Sequence, residues 1–515
     1  AGILATTSIA PAFADVSATA LPKLNSATNA DITTTGADMN IQITGGQGSV
    51  STINWNSYNV GKDASVNYEF SAHNQTSINR VAEAGGLSQI YGRITNSGCE
   101  GCNYAGTGKV ILLNPNGVFF GNGANVDLNS FTVSTMDGNY NESAKQLELT
   151  RNTTSPYGIV VENGAKIYGD KNVAFATDNV TLYKGSSIST NVGPNVGNDS
   201  YGKIKIVTAD GVNFAYYNNG AVKNINGVKG ASDKMTINAN GSLNAGNIDI
   251  RNYSSNVDSE INLNGAALKA TKAVSGNDGN IWLTATNKVV VDESTLQTVN
   301  YSNDAASVDG GNIEITAGNK ASVKTSNLDA VGNINVKSSN ADSVVEHSQL
   351  TAAKDVNINA GNIASAQTNS IVKGKTINII GKTRGQAHKS TLTADEININ
   401  SDNDVWVSDA NLNAPVINLK AKNGSVTGSA DVHENQTNIY AGKDINLTLA
   451  NVGNKEHGLV AEADQNVTIK TNGTLSVGRL VAKNGNMTLE ADKVIAGLPY
   501  TSEEQIPGDE ANRSY

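Results

Sequence analysis

The sequence predicts an all-β solenoid, a chain wound as a parallel β-helix whose coils stack one strand spacing apart. Three observations support this fold class. A short strand unit recurs at a fixed period, apolar residues alternate with polar ones inside the unit, and turn-forming residues are abundant. The 515 residues include 71 Asn and 51 Gly but only 8 Pro, and 16% of the residues are charged. No long stretch has the 3.6-residue apolar period of an amphipathic helix.

The repeated unit follows the order Gly or Asp, Asn, apolar, polar, apolar, and it recurs from about residue 230 onward. Examples are Gly246–Ile250, Gly279–Leu283, Gly311–Ile315, Gly332–Val336 and Asp444–Leu447. From Ile313 most intervals are about 20 to 22 residues, a period typical of solenoids. A short strand buries alternate side chains, a corner turns, and the chain returns ~4.8 Å above itself. Applied to the whole chain, this period predicts about 22 to 24 coils and a rod on the order of 110 Å long.

Further features of the repeats agree with stacked coils. A second strand in each coil is predicted at Lys288–Val291, Ala321–Lys324 and Asp404–Val407. Asn at the corners tolerates left-handed backbone and bonds the backbone locally. Asn side chains stacked from coil to coil also form amide ladders. The abundance of Asn therefore has a structural explanation.

A tight turn at Asn114-Pro115-Asn116-Gly117 lies between two apolar runs, Val110–Leu113 and Val118–Phe120. Pro115 presets φ at the first central position of the turn, and Asn116 and Gly117 tolerate the conformations that follow. The pattern predicts a strand, a tight turn and a second strand.

Several other motifs surround this turn in a fixed order. They are Ile53–Gly61, Ser77–Val81, Ser88–Ile94, Gly121–Ala124 and Ser134–Asp137. In this order and spacing they resemble the secretion domain of the large exoproteins of bacterial two-partner secretion. Within that family they are similar to the filamentous-haemagglutinin-like and high-molecular-weight adhesins, which carry a haemagglutination activity domain. The resemblance covers roughly residues 30 to 140.

The resemblance implies a right-handed parallel β-helix with short β-hairpin insertions. It also implies that the periplasmic domains of a cognate outer-membrane pore recognise the N-terminal module and that the pore exports the chain unfolded. The family motif for this recognition maps onto Asn114, Pro115, Asn116 and Gly117, together with Asn79 and Arg80. Two alternatives to this recognition role stay open. In the first, Asn114 and Asn116 only hold the turn, and recognition occurs elsewhere. In the second, burial against the next coil explains why Asn79 and Arg80 occur at these positions.

The two cysteines favour the adhesin branch of the family. In the haemolysin and toxin branch a Cys-x-x-Cys follows the turn, whereas Cys99 and Cys102 precede it in a Gly- and Asn-rich insert. Their spacing allows a small disulfide ring or half of a metal site, and no second pair of ligands lies nearby in the sequence. We expect a disulfide, with free or metal-bound thiols as the alternatives.

The expected function is that of a surface adhesin, secreted through the periplasm of a Gram-negative-type bacterium. Its rod would attach to host cells, matrix or other bacteria through a surface receptor or glycan. The alternatives are the stalk of a contact-dependent toxin, a haemolysin, and a β-helix polysaccharide lyase or hydrolase.

Enzymatic activity is not expected, and neither is a cofactor or a metal. The five histidines are scattered, and the acidic candidates Asp402, Asp404 and Asp409 follow one predicted strand. A net charge of −10 argues against a nucleic-acid partner. No run beyond the N-terminus approaches the ~18 apolar residues of a membrane span, so membrane insertion is not expected.

Four segments organise the predicted chain. Residues 1–14 end in Ala12-Phe13-Ala14, a small-x-small cleavage site, and are expected to be the remnant of a signal peptide. Residues 15–230 form the two-partner secretion domain and the coils continuous with it. Residues 231–497 form the repeat rod, and residues 498–515 form a polar tail or linker.

Overall fold

The computed structural model describes residues 16–98, 108–192, 202–218, 220–272, 279–301, 310–432, 436–452 and 457–498. The predicted signal-peptide remnant, both cysteines and residues 499–515 of the predicted tail lie outside the described residues. Within the described chain the single helix is a 3₁₀ turn at Glu83–Gly85, and no helix has the length and apolar character needed to cross a membrane.

Nearly all of the regular structure consists of strands, numbered here in chain order. Strands β1 to β20 are Lys23–Thr28, Ala30–Thr35, Asp38–Ile43, Val50–Ser57, Ser65–Phe70, Thr76–Val81, Ser88–Ile90, Arg93–Gly98, Lys109–Leu113, Val118–Phe120, Asn125–Ser134, Asp137–Asn141, Gln146–Thr150, Ile159–Val161, Lys166–Thr177, Asn179–Leu182, Ser187–Thr190, Lys203–Thr208, Gly211–Tyr216 and Val222–Lys229. Strands β21 to β35 are Thr236–Ala239, Ser242–Ala245, Asn247–Asn252, Glu260–Asn264, Ala267–Lys272, Ile281–Ala285, Lys288–Asp292, Thr295–Asn300, Ile313–Ala317, Lys320–Lys324, Asn327–Ala330, Ile334–Ser338, Ser343–Glu346, Gln349–Ala352 and Val356–Ala360. Strands β36 to β51 are Ile363–Gln367, Ile371–Lys373, Thr376–Gly381, Arg384–His388, Thr391–Thr393, Glu396–Ser401, Asp404–Asn413, Val416–Ala421, Val426–Asp431, Gln436–Ala441, Ile445–Ala450, Leu459–Ala463, Val467–Lys470, Thr474–Ala482, Met487–Glu490 and Lys493–Ala496.

Most strands belong to three parallel sheets that wrap one core, which confirms the predicted parallel β-helix. At its N-terminal end β1 pairs with β4, and β2 with β3, in the antiparallel direction. Sheet I contains β29, β32, β35, β38, β41 and β43, and each of these strands pairs with the next. Sheet II is represented by β27, β30, β33, β36 and β39, and sheet III by β28, β31, β34, β37 and β40. Each coil runs from sheet I to sheet II to sheet III. The predicted second strands of the coils are the sheet II strands.

The core consists of aliphatic side chains stacked in register. In sheet I, Ile313, Ile334, Val356, Ile377 and Ile397 are successive partners, and none is exposed to solvent. Full burial of such a side chain contributes about 1.5–3 kcal/mol relative to exposure. Each coil therefore adds one layer of aliphatic side chains to the core formed by the preceding coil.

The predicted number of coils was too high. Sixteen successive pairings join seventeen strand segments along sheet I of the described chain. At ~4.8 Å per coil they span about 80 Å. The prediction applied the short period of the rod to the whole chain, but the first coils are longer. Met39 pairs with Val66, and Val66 pairs with Ile94, so each of these coils takes about 27 to 28 residues and not the 20 to 22 of the rod.

Outside the β-helix, a four-stranded antiparallel sheet covers part of sheet I. This outer sheet has the order β12-β13-β19-β20 and comes from two excursions of the chain, which confirms the predicted hairpin insertions. Its Leu147 and Phe214 pack against Ile78, Ile111 and Val207 on the outward face of sheet I. Strands of sheet I are therefore apolar on both faces here, because both faces are buried.

The Asn residues form an amide ladder on the outward face of sheet I. In each step one Nδ2 donates to the Oδ1 of the preceding coil at 2.7 to 3.0 Å, through Asn335, Asn357, Asn378, Asn398, Asn418 and Asn438. The first of these residues donates to Glu314 at 2.6 Å. The structural explanation for abundant Asn therefore holds along this column.

Candidate functional site

The turn at Asn114–Gly117 joins β9 of sheet I to β10 of sheet II. The Gly117 N–H donates to the Asn114 carbonyl at 3.0 Å, and the Asn116 N–H donates to Asn114 Oδ1 at 2.9 Å. Gly117 has a φ of 115°. A Cβ atom at this position would lie 2.8 Å from the Gly158 carbonyl oxygen, so the turn requires glycine here.

The two Asn side chains of the turn bind the preceding coil. Asn114 is fully buried, and its Nδ2 donates to the Gly86 carbonyl at 2.9 Å and to Ser88 Oγ at 2.8 Å. Asn116 Nδ2 donates to the Glu83 carbonyl at 2.7 Å, in the 3₁₀ turn. The amides therefore fix one corner of the β-helix to the corner beneath it, which supports the turn-holding alternative for these two residues.

Asn79 lies inside the β-helix at the centre of a buried polar network. Its Oδ1 accepts hydrogen bonds from Trp55 Nε1 and from the Tyr68 hydroxyl, each at 3.0 Å. Its Nδ2 donates to the Ile111 carbonyl of the next coil at 3.2 Å. The hydroxyls of Tyr58 and Tyr68 are 2.9 Å apart, and burial raises the pKa of both phenols. Asn79 thus satisfies aromatic donors that would otherwise be unpaired in the core.

Arg80 follows Asn79 but points to the opposite face of β6, where it binds the outer sheet. Its Nη1 lies 2.7 Å from Asp137 Oδ1, and its Nη2 donates to the Gly138 carbonyl and, at 3.3 Å, to Asn139 Oδ1. Gly138 lies on β12, the edge strand of the outer sheet. Arg80 therefore anchors that edge to the β-helix.

A cleft of about 370 Å³ opens beside the turn, and we call it the turn cleft. Its lining comes from β6, the 3₁₀ turn, β9 and the turn that follows it, and the two ends of the β12–β13 hairpin. The lining residues are Arg80, Val81, Glu83, Leu113, Pro115, Thr135, Met136, Asp137, Asn152 and Thr153. Of the predicted motif residues, only Arg80 and Pro115 line the cleft. Asn79 and Asn114 are buried in the molecule, and Asn116 and Gly117 belong to the turn itself.

Charged residues that sequence reasoning missed hold the outer sheet and sheet I in place. Arg151 Nη2 lies 2.5 Å from Asp210 Oδ1 and 2.8 Å from Asp233 Oδ2, so this side chain connects the bases of the two excursions. Asp249 is 1% exposed and lies between two cations. Its Oδ2 is 3.1 Å from Lys205 Nζ, and its Oδ1 is 2.6 Å from Arg251 Nε. The Arg151 partners lie far from it along the sequence, so no local spacing identifies them.

The acidic candidates do not form a metal-binding cluster. Asp404 Oδ1 accepts the Ser425 N–H of the next coil at 3.0 Å, and Asp409 occupies a corner with a φ of 49°. Among the described residues, no group of three His, Cys, Asp or Glu side chains is placed to hold a metal ion.

Comparisons with known proteins give the family. Two Haemophilus influenzae proteins named heme/hemopexin-binding protein are similar to this chain. One, from strain Rd, is 28% identical over 153 residues, which cover 26% of this chain and 16% of the relative. The other is 31% identical over 102 residues, which cover 20% of this chain and 10% of the relative. The alignments therefore span less than a fifth of either relative's length.

The crystal structure of the HMW1 secretion domain from Haemophilus influenzae aligns with a TM-score of 0.34 and 14% identity, covering 92% of this chain and all of that one. A family model described as the TPS secretion domain matches residues 18–283, which are 266 of the 515 residues. The chain therefore belongs to the two-partner secretion exoproteins, a family of proteins exported across the outer membrane.

Proposed function

We propose that this protein is a surface adhesin, exported by a cognate outer-membrane transporter that recognises the N-terminal module. The observation that carries the proposal is the position of the Asn114–Gly117 turn. It lies within the residues matched by the secretion-domain model, at a corner that is bonded to the corner of the preceding coil. The long rod that follows would carry the adhesive surface.

The structure supports a specific role for the two turn asparagines. Asn114 has no exposed surface, and its side chain already makes three hydrogen bonds at 2.8 to 2.9 Å within the protein. A folded module offers little of this side chain to a partner. We therefore propose that Asn114 and Asn116 shape the recognised surface and that the transporter makes its contacts with neighbouring residues.

Export of a double variant tests this role. With the cognate transporter present, Asn114→Ala/Asn116→Ala should accumulate in the periplasm, because the corner that presents the module is no longer fixed. The double variant Asn400→Ala/Asn413→Ala, which leaves the turn untouched, is the matched control and should reach the medium. Normal export of the turn variant would remove the turn from the recognition mechanism.

The adhesive role is proposed from the resemblance to the adhesins of the family and needs a separate test. Each coil folds mainly on its neighbour, so coils that emerge in order can fold in order without nucleotide hydrolysis. We expect bacteria that display the protein to attach to host cells, matrix or other bacteria more strongly than bacteria lacking it. Equal attachment of both strains to all three surfaces would contradict the adhesin assignment.

A second candidate function comes from the names of the two relatives. Both are called heme/hemopexin-binding proteins, so binding of heme or of a heme carrier is an alternative role for the rod. Titration of the purified protein with hemin and with heme-loaded hemopexin distinguishes this role from adhesion. Saturable binding of either would favour it.

We propose that the rod has no catalytic role. Asp404 and Asp409 are committed to corners and to contacts between coils, as Ser425 and Ser429 show. Depolymerisation of any acidic polysaccharide by the purified protein would overturn this assignment.

A further inference from the structure

We propose that the outward face of sheet II carries a glycan-binding site centred on Trp406, and that this site takes neutral glycans. The inference rests on the proposed function, because it treats attachment to a surface glycan as the task of the rod. It goes further by naming the side chains that bind and the charge of the glycan. The site lies in the rod, beyond the residues matched by the secretion-domain model.

Two of the three tryptophans lie at the surface of the β-helix. Trp55 is fully buried, whereas Trp282 on sheet I and Trp406 on sheet II are partly exposed. Trp406 is flanked in register by Gln386 in the preceding coil and by Thr427 in the following coil. Burial alternates along β42, and Trp406 is at an outward position. Its ring is therefore available to a ligand.

The Trp406 ring is oriented by its neighbours but not enclosed by them. The imidazole of His388 stacks against it, with the ring centroids 5.0 Å apart and the planes inclined by 16°. Two rings in full face-to-face contact would have centroids only about 3.5–4.0 Å apart, so the stack is offset and His388 covers part of the indole. On the side of the next coil lies Gly428, where a Cβ atom would be 3.4 Å from Trp406 Cδ1. This position adds no side chain over the ring.

Polar side chains around Trp406 have hydrogen-bonding capacity that the protein does not use. The indole N–H of Trp406 and the guanidinium of Arg384 form no hydrogen bond with any described residue, and His388 Nδ1 is buried without a partner. Gln386 Nε2 makes only a long contact of 3.4 Å with Gln367 Oε1. On sheet I, by contrast, the outward Asn side chains bond one another from coil to coil. The donors around Trp406 are therefore available to a ligand.

The charges around this site balance. Arg384 and Asp404 are register partners on the outward face, next to Gln386 and Trp406 along their strands. The corners of the same two coils carry two exposed cations and two exposed anions, which are Lys382, Lys389, Asp402 and Asp409. Electrostatic complementarity therefore favours an uncharged ligand over a sialylated or sulfated glycan.

A pyranose ring matches this combination of groups. One face of the ring presents C–H groups, which pack on the electron-rich face of an aromatic side chain, and its edge carries hydroxyl groups that accept and donate hydrogen bonds. An added peptide strand would need a free sheet edge, but β39 and β42 are each paired on both sides. The chemistry of the site therefore favours a sugar.

Titration of the purified full chain with neutral tetrasaccharides tests the proposal. The probes are the linear tetrasaccharides of glucose, galactose, mannose and N-acetylglucosamine, with sialyllactose and a heparin tetrasaccharide as charged comparators. Trp406→Ala and Arg384→Ala alter the site. Trp282→Ala and Lys337→Ala are the matched controls, because both side chains lie outward on sheet I. The readouts are the Kd from calorimetry and the shift of tryptophan emission on binding.

We expect saturable binding of at least one neutral tetrasaccharide, with an emission shift that Trp406→Ala abolishes and Trp282→Ala retains. Both site variants should bind at least about tenfold more weakly, and both controls should stay within about twofold of the parent. Trp406→Tyr, which keeps an aromatic ring, should retain most of the affinity. Circular dichroism verifies the fold, and Arg384→Ala keeps the test decisive if Trp406→Ala does not fold.

Three results would overturn the proposal. They are binding of none of the neutral probes, binding of the charged comparators alone, and equal weakening by Trp282→Ala. Attachment of bacteria separates this proposal from the proposed function. If bacteria displaying Trp406→Ala attach as the parent does, the site is refuted and adhesion stands. If the purified protein binds a neutral tetrasaccharide but confers no attachment, the adhesin function is refuted and the site stands.

Discussion

Asn114→Ala should loosen one corner of the β-helix without unfolding the rod. The substitution removes three hydrogen bonds, which Asn114 makes with Gly86, Ser88 and Asn116. At about 1 kcal/mol net per bond, with part of the cost recovered by water at the exposed Gly86, we expect a local loss of about 2–3 kcal/mol. By the same reasoning Asn116→Ala, which loses one exposed bond to Glu83, should cost less than about 1 kcal/mol.

Hydrogen exchange at single amides measures this loss where it occurs. A long repeat array need not unfold in one step, so a global melting curve is the wrong readout. The reporters are the Ser88 N–H, which donates to the Gly117 carbonyl at 3.1 Å, and the Gly117 N–H. A loss of 2–3 kcal/mol corresponds to about 30- to 150-fold faster exchange. The Ile334 N–H in the rod should not change.

Two results would refute this reasoning. Exchange at Ser88 and Gly117 that stays within about twofold of the parent would show that the Asn114 bonds contribute little. Exchange that rises equally at Ile334 would show that the coils are coupled over long range, contrary to nearest-neighbour stacking.

Three further predictions concern charged residues. Arg151→Ala should lower the local stability of the outer sheet by about 1–2 kcal/mol, because the contacts to Asp210 and Asp233 are lost. Protease should therefore cleave the outer sheet faster, and unchanged cleavage rates would contradict this. Burial alone would raise the pKa of Asp249, but its cationic partners outweigh burial and hold the pKa below 3.8. Asp249→Asn should therefore be destabilising above that pH, and the difference from the parent should fade as acid protonates Asp249 in the folded protein. Urea denaturation across pH tests this prediction, and a difference that persists in strong acid would contradict it. Burial lowers the pKa of Lys109 from 10.5 to about 8, so the unfolded chain binds more protons between these values and stability should rise with pH there; Lys109→Met should remove that rise, and a retained rise would contradict the assignment.

The strands of sheets I and II were predictable because aliphatic side chains alternate with polar ones. Units such as Ile313–Ala317 and Lys288–Asp292 bury two or three alternate side chains, which is enough to define a strand. Sheet III was not predicted. A strand such as Asn327–Ala330 buries only Leu328 and Ala330, and so short a pattern resembles part of a turn.

The outer sheet could be predicted only in part. Sequence indicated hairpin insertions, and the continuous apolar run Val110–Leu113 reflects burial on both faces. Nothing local showed that Phe214, about one hundred residues later, would cover Ile111. The longer first coils, together with these excursions, made the predicted coil count too high.

The motif residues show how far sequence reasoning reaches into the site. Asn79 and Arg80 are neighbours in one motif, yet alternation along β6 sends the first into the core and the second to the outer sheet. The sequence predicted the tight turn itself, which the structure contains. The turn cleft depends on where β6, the turn and the outer sheet meet, which only the folded chain shows.

The most direct measurement of the central claim is the distribution of the full chain between periplasm and medium, with the cognate transporter gene intact, deleted and restored. The account predicts protein in the medium when the gene is intact, retention in the periplasm when it is deleted, and recovery of export on restoration. Equal amounts in the medium of all three strains would contradict it.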